Sequence, residues 1–198
     1  MKAILICAVL AAASLTGCAG LSADVHSASP AAALQGERTY AIARMPSQDD
    51  SADHPQFEAL LRDELAKNGF VDTADKPAHY LLSMAYDTRP ASVGVNSGDC
   101  TAGACGRPAE PPFSLFGARA YQHALTLRFF ERASGQEVYK VSATSSDRDA
   151  DPVHAMPALV KSALAQLPFG APPDWRVTLR AAQAGGVPDV VSVKPLQP

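Results

Sequence analysis

The sequence predicts an α+β fold, a single two-layer domain in which two helices cover one face of a mostly antiparallel, four-stranded sheet. Four segments alternate apolar and polar side chains in the manner of strands. Two further segments repeat their apolar residues at helical spacing. A short glycine-containing turn joins the last two strands as a hairpin, so the predicted order of elements is βαβββα. A single sheet of this kind leaves its other face and an edge strand open to a partner.

The first strand and the first helix are predicted between residues 39 and 70. Residues 39–44 contain β-forming side chains and stop before Pro46. Asp53 can cap the helix that follows, with Pro55 in its first turn. The apolar residues of this helix recur at helical spacing and are Phe57, Leu60, Leu61 and Leu65. Gly69 can adopt the left-handed conformation found just after a helix, so we expect the helix to end before it.

Three more strands follow the first helix and share a period-two alternation of side chains. They are residues 79–88, 119–132 and 137–145. Residues 133–136 form the hairpin turn between the last two. Asp151 and the proline after it begin the second helix. This helix is expected to end before Pro168, with Pro157 kinking or separating its first turn.

The first 17 residues are typical of a lipoprotein signal peptide, with an ordinary signal peptide or a short buried helix as the alternatives. Lys2 precedes an apolar run, which is the layout of a secretory leader. Residues 15–18 resemble the lipobox of bacterial lipoproteins, which implies cleavage before Cys18 and lipidation of its sulfur. Several acyl chains hold a protein on a membrane durably, whereas one chain holds it only marginally. By the enterobacterial sorting rule, Ala19 implies the periplasmic face of the outer membrane.

The rest of the chain divides into three predicted parts. Residues 18–38 are poor in large apolar side chains, which predicts a flexible tether from the lipidated cysteine. Residues 39–170 form the α+β domain, and residues 171–198 form a C-terminal extension punctuated by Gly and Pro. The net charge of −3 argues against nucleic acid as a partner. We therefore expect contact with the membrane through the lipid anchor alone.

Two cysteines remain once Cys7 leaves with the leader and Cys18 is lipidated. Cys100 and Cys105 then lie in an oxidising compartment, among Gly and Ala residues that allow their Cα atoms to approach each other. A disulfide between them is predicted. It would shape the long connection over residues 89–117 and contribute little to stability, because it closes a short loop.

No metal or other cofactor is predicted. His79 and His123 are the nearest partners for a zinc site with the cysteines, but no zinc-type spacing accompanies them. The two histidines could face the same surface of the sheet, and lone histidines in strands are more often simply accommodated there. The aspartates in residues 49–53 and 147–151 are more typical of solvated loops and helix caps than of calcium ligands.

Several of these segments resemble a family of bacterial lipoproteins defined by a domain of unknown function, DUF4136. The resemblance covers roughly residues 39–169. The segments that carry it are residues 39–40, 67–70, 78–82, 125–130, 134–139 and 164–168. The resemblance implies the fold and the location given above. It assigns no catalytic residues and therefore no mechanism.

The motifs favour a non-enzymatic function. The sequence contains no G-x-S-x-G, H-E-x-x-H, P-loop or G-x-G-x-x-G pattern. We expect an interaction or envelope-maintenance module whose partner is an unidentified envelope protein, bound by the 89–117 loop and the adjoining sheet face or edge. One alternative is a carrier of a small apolar or envelope-derived ligand, in a cavity lined by Tyr80, Met84 and Leu127. A cell-wall hydrolase is a weaker alternative, which would need two carboxylates with raised pKa values in one cleft.

Overall fold

The described residues of a computed structural model of the chain form ten elements of secondary structure. The structure describes residues 20–28, 34, 36–44, 51–73, 77–91, 120–167, 173–182 and 186–196. The elements are β1 (Leu21–Ser27), β2 (Thr39–Ala43), α1 (His54–Lys67), β3 (Val71–Asp72), β4 (Tyr80–Pro90), β5 (Tyr121–Glu131), β6 (Glu137–Asp147), α2 (Pro152–Leu164), β7 (Asp174–Arg180) and β8 (Asp189–Pro195). Among the described residues, no helix is both long and apolar enough to cross a bilayer.

The strands form one mixed sheet of eight strands in the described parts of the chain, in the order β3-β2-β4-β5-β6-β1-β7-β8. Strand β2 runs parallel to both β3 and β4, and every other neighbouring pair is antiparallel. The α+β class is therefore right, but the predicted four-stranded, mostly antiparallel sheet with βαβββα order is wrong. The predicted sheet did not include β1, β3, β7 or β8.

Strand β1 lies inside the segment predicted to be a flexible tether, residues 18–38. It occupies a central position between β6 and β7. Val25 pairs with Ala143 on one side and with Trp175 on the other, and it is 1% exposed. The segment lacks large apolar residues, yet Ala23 and Val25 fill the helix-covered face between two strands that supply bulkier side chains. The alternation of side chains along this segment, rather than their size, is therefore the feature that indicates a strand.

Residues 171–198, predicted to be an extension outside the domain, supply β7 and β8 of the same sheet. Trp175 of β7 is 1% exposed and belongs to the main hydrophobic core. Strand β8 lies at the edge of the sheet, where Val190 and Val191 are 40% and 53% exposed. The extension is therefore part of the domain.

Helix α1 begins and ends at the predicted residues, but its N-cap lacks the expected side-chain hydrogen bond. Asp53 occupies the N-cap position, but its side chain makes no capping hydrogen bond. The C-terminal prediction is confirmed, since Gly69 has a φ of +79° and the Phe70 N–H donates to the carbonyl of Leu65 at 3.0 Å. Phe70 then packs into the core at 2% exposure. This closing turn joins α1 to β3.

Helix α2 covers the centre of the sheet. The Asp151 carboxylate accepts a hydrogen bond from the Val153 N–H at 3.0 Å, which confirms the predicted cap, and Pro152 follows it directly. The helix is continuous through Pro157 and ends at Leu164, three residues before the predicted limit. Helix α2 packs over β5, β6 and β1 and lies beside α1. Both helices therefore cover the same face of the sheet.

A buried carboxylate ties α1 to the edge of the sheet. Glu58 of α1 is 0% exposed. Arg44 donates to both of its oxygens, at 2.8 and 2.9 Å. Arg62 lies 3.0 Å from the same carboxylate and also donates to Asp72 of β3 at 2.7 Å. The hydrogen bonds from Arg44 are the main reason why the pKa of Glu58 lies below its usual value despite burial.

Candidate functional site

Two histidines and an aspartate meet where β5, β6 and α2 come together. His123 is on the helix-covered face of β5 and is 1% exposed. Asp147 is the last residue of β6, and His154 is in the first turn of α2. Metal-binding atoms of all three side chains lie within 4.8 Å of one another. We call this group the His-Asp-His cluster.

Both imidazoles contact the same carboxylate. The Nε2 atom of His123 lies 3.2 Å from one oxygen of Asp147, and the Nε2 atom of His154 lies 2.7 Å from the other. The two rings stand edge to face with their centroids 5.1 Å apart. The carboxylate therefore bridges a buried histidine and a partly exposed one.

The contacts of His123 identify its tautomer in this arrangement. Its Nε2 also lies 3.0 Å from the carbonyl oxygen of Asp149, which can only accept a hydrogen bond. The Nε2 atom therefore carries the hydrogen and donates it. The Nδ1 atom is 2.9 Å from the Thr88 hydroxyl, which can donate to it. Both ring nitrogens of this buried histidine thus have partners.

The loop between β6 and α2 is held by its own aspartates. Asp147 accepts from the Asp149 N–H at 2.8 Å, and Asp149 accepts from the Asp151 N–H at 3.0 Å. Each carboxylate thus binds the backbone N–H two residues further on, as Asx turns do. This pattern leads directly into the N-cap of α2. It fixes Asp147 and the start of the helix relative to each other.

Electrostatics favour an ion pair within the cluster. Burial by itself would raise the pKa of Asp147, but hydrogen bonds from His154, the Asp149 backbone and His123 lower it. Burial would also lower the pKa of His154, yet its hydrogen bond to Asp147 and the nearby negative charges raise it. A carboxyl group with a lowered pKa is poorly suited to act as a general acid. The cluster therefore gives no support to the hydrolase alternative.

The structure does not bring His79 and His123 together. Strand β4 pairs with β5 so that Thr88 lies opposite His123, whereas His79 precedes the other end of β4, where Tyr80 pairs with Glu131. The two histidines also alternate onto opposite faces of the sheet. The expectation that they share one surface is therefore wrong.

Sequence reasoning missed two members of the cluster, Asp147 and His154. The hairpin itself carries a signal for Asp147, because the turn at Gly135 sets Tyr121 opposite Asp147 and so brings His123 near it. No comparable signal existed for His154, since its position depends on how α2 crosses the sheet.

Other predictions lie outside the described residues. They are the signal peptide 1–17, Cys18, Ala19, the pair Cys100 and Cys105, and the 89–117 loop apart from its first three residues.

A second feature is a groove of about 640 Å³ on the face of the sheet that the described helices leave uncovered. Strands β2, β4, β5 and β6 contribute to it. Its described lining consists of Ala43, Arg44, Ser83, Ala85, Thr126, Arg128, Phe130 and Lys140. Three of these side chains are basic and none of them is acidic. Arg128 lies directly opposite Lys140 in the pairing of β5 with β6, so two positive charges stand side by side in the groove.

The interior between sheet and helices is occupied by packed side chains at the place where the carrier alternative needs a cavity. Tyr80, Met84 and Leu127 are 2%, 1% and 0% exposed and belong to one hydrophobic cluster. The ring of Phe129 meets Tyr80 edge to face at 6.3 Å. This arrangement favours an interaction surface over an internal carrier site.

Several solved structures are similar to this chain. PelC from Paraburkholderia phytofirmans, a dodecamer, is 15% identical with a TM-score of 0.45, and the match covers 76% of this chain and 99% of that one. A point variant of PelC is 16% identical, with a TM-score of 0.45 and coverage of 75% and 98%. A PDZ domain protein from Parabacteroides distasonis is 13% identical, with a TM-score of 0.49 and coverage of 88% and 43%. Among curated proteins, none matches significantly.

The sequence pattern of one family matches most of the chain. The match covers residues 24–169, from within β1 to just beyond α2, and its description is a domain of unknown function. The resemblance inferred from residues 39–169 is thereby confirmed, and the match extends it to the strand that sequence reasoning had missed. The chain belongs to the DUF4136 family.

Proposed function

We propose that this chain is a non-enzymatic, lipid-anchored lipoprotein on the periplasmic face of the outer membrane. In this proposal it binds an acidic segment of an envelope protein in the groove on the uncovered face of the sheet. The lipid anchor is Cys18, and the support for it is the lipobox-like sequence of residues 15–18. The groove is the proposed binding site for the partner.

The observation that carries the binding role is the pairing of Arg128 with Lys140. Like charges placed directly opposite each other on neighbouring strands destabilise a sheet. Glu137 lies 3.6 Å from Arg128 on the same pair of strands. An acidic ligand in the groove would place an opposite charge beside both cations and so lower the repulsion between them. A groove of about 640 Å³ accommodates a short extended peptide segment.

Replacing Cys18 with serine is expected to release the protein from the membrane. Serine offers no thiol for lipidation, and the described part of the chain contains no helix that could cross a bilayer. The protein of cells grown with radiolabelled palmitate should carry label in the wild type and none in Cys18→Ser. The matched control is Cys7→Ser, in the leader, which should leave labelling intact. Labelling that persists in Cys18→Ser would exclude this anchor.

Charge reversal in the groove is expected to abolish capture of the partner. A photoreactive residue at Ser83 of the full chain, in intact envelopes, should crosslink to one dominant protein. The double variant Arg128→Glu and Lys140→Glu should lose that crosslink, because it would repel an acidic segment. Arg180→Glu is the matched control, since Arg180 alternates onto the same face but lies outside the groove. Capture and identity are read by mass spectrometry.

Two results would contradict the groove as the binding site. One is capture of the same species from a photoreactive residue at Ser22, which lies on β1 away from the groove. The other is a crosslink that survives charge reversal at Arg128 and Lys140. Capture of lipid or glycan alone would instead favour the carrier alternative.

A further inference from the structure

We propose that the His-Asp-His cluster is a binding site for a divalent transition metal ion, with Zn²⁺ as the best fit. The ligands are the Nε2 atoms of His123 and His154 and the carboxylate of Asp147. This proposal concerns the end of the sheet where β5 begins, and it is independent of the groove. Two imidazoles with one carboxylate are a donor set that suits zinc, whereas Ca²⁺ and Mg²⁺ prefer oxygen ligands alone.

The donor atoms already lie close to the spacing that zinc requires. Metal–ligand bonds of about 2.0–2.1 Å in a tetrahedral site place two ligand atoms about 3.3 Å apart. His123 Nε2 is 3.2 Å from Asp147, and His154 Nε2 is 2.7 Å from it. These contacts run to the two different oxygens of Asp147, and all three donor groups lie within 4.8 Å of one another, so binding needs a small adjustment, for which His154 is the more exposed of the two histidines. The carbonyl oxygen of Asp149, 3.0 Å from His123 Nε2, or a water molecule is placed to complete the site.

Each histidine also has an oxygen beside its other ring nitrogen. The Nδ1 atom of His123 lies 2.9 Å from the Thr88 hydroxyl, and the Nδ1 atom of His154 lies 3.7 Å from the Asp149 carboxylate. Metal-binding histidines characteristically donate their second N–H to such a partner, which fixes the ring and the tautomer. When His123 binds the ion, its hydrogen moves from Nε2 to Nδ1. The Thr88 hydroxyl then accepts instead of donating, and the hydrogen on Nε2 of His154 is released to solvent as that atom binds the ion.

A second His-Asp pair in the same chain lacks these features and serves as the matched control. His26 of β1 lies 2.6 Å from Asp174 of β7, but its side chain is 62% exposed and no third ligand joins it among the residues that the structure describes. If zinc were bound weakly at the exposed His26, the His26→Ala variant would lose it. Zinc bound in the cluster would not be affected.

The test is a zinc titration of the full chain, purified in mild detergent with its thiols blocked and metals removed by chelation. Calorimetry should show one Zn²⁺ per chain, and Co²⁺ should give the intense visible absorption of a four-coordinate site. His154→Ala should lose binding and the Co²⁺ bands, whereas His26→Ala should keep both. Thr88→Val should bind about tenfold more weakly, because the second partner of His123 is lost.

The folding of the variants can be checked without metal. His154 is partly exposed, so metal-free His154→Ala should unfold cooperatively at a thermal midpoint close to that of the metal-free wild type. The proposal is overturned if the wild-type chain binds no stoichiometric zinc, if folded His154→Ala binds it equally well, or if His26→Ala loses it. None of these results bears on partner capture at the groove. Failure of one proposal therefore leaves the other standing.

Discussion

Replacing Val25 with aspartate is expected to unfold the domain. Val25 is 1% exposed in the central strand β1, where it pairs with Ala143 and Trp175. An unpaired carboxylate in this position and the lost contacts of the valine together cost about 5 kcal/mol or more. The stability of a typical domain is about 5–15 kcal/mol. A thermal scan followed by circular dichroism should therefore show loss of the cooperative transition.

The same charge on the opposite face of β1 provides the control. Ser22 is exposed on the uncovered face of the sheet, so Ser22→Asp should shift the free energy of unfolding by about 0.5 kcal/mol or less. If Val25→Asp kept the thermal midpoint of the wild type, β1 would be dispensable. Residues 18–38 would then be a tether after all.

Changing Glu58 to glutamine is expected to lower the free energy of unfolding by about 3 kcal/mol, at the lower end of the range for broken buried ion pairs. The side chain keeps its size but loses its charge, which leaves Arg44 and Arg62 without their shared carboxylate. Both arginines are partly exposed, which limits the loss. In a domain of this length the thermal midpoint should fall by roughly 6–12 °C.

The loss should depend on pH with a defined sign. The pKa of Glu58 is lowered from an ordinary value of 4.5, so its charge stabilises the fold above that value. The difference in free energy of unfolding between wild type and Glu58→Gln should therefore be largest near neutral pH and shrink as the pH falls below 4.5. Asp24→Asn is the control, because Asp24 makes the same two-pronged contact with Arg176 on the surface. It should cost about 1 kcal/mol or less. Equal losses in both variants would contradict the buried role of Glu58.

Local patterns allowed the helices and the β5–β6 hairpin to be predicted from the sequence. The apolar spacing of α1, the Gly69 stop, the Asp151 cap and the turn at Gly135 each depend on neighbouring residues. Strand β1 was missed because its evidence is not local. Asp24 accepts hydrogen bonds from Thr144 and Arg176, which are 120 and 152 residues away along the chain. Short side chains with such distant partners resemble a linker until the partners are known.

The candidate site was predicted in part. His123 was considered as a metal ligand, but it was paired with His79. That pairing was suggested by the alternating pattern of the two predicted strands in which these histidines stood. The hairpin register places Asp147 near His123, and this could have been inferred from the turn. His154 could not, because the crossing of α2 over the sheet follows from packing. The aspartates of the loop were interpreted as caps, which describes their backbone contacts but not the histidines that they also face.

The position of β1 also fixes how an anchored domain would stand on the bilayer. Two residues separate Cys18 from Leu21, and the three residue steps between them reach about 10 Å even when fully extended. Strand β1 is antiparallel to β6, so Leu21 lies at the end of the sheet where β6 finishes at Asp147. A lipid on Cys18 would therefore hold that end, with its two histidines, against the headgroups. The groove around Arg128 and Lys140 would face the periplasm.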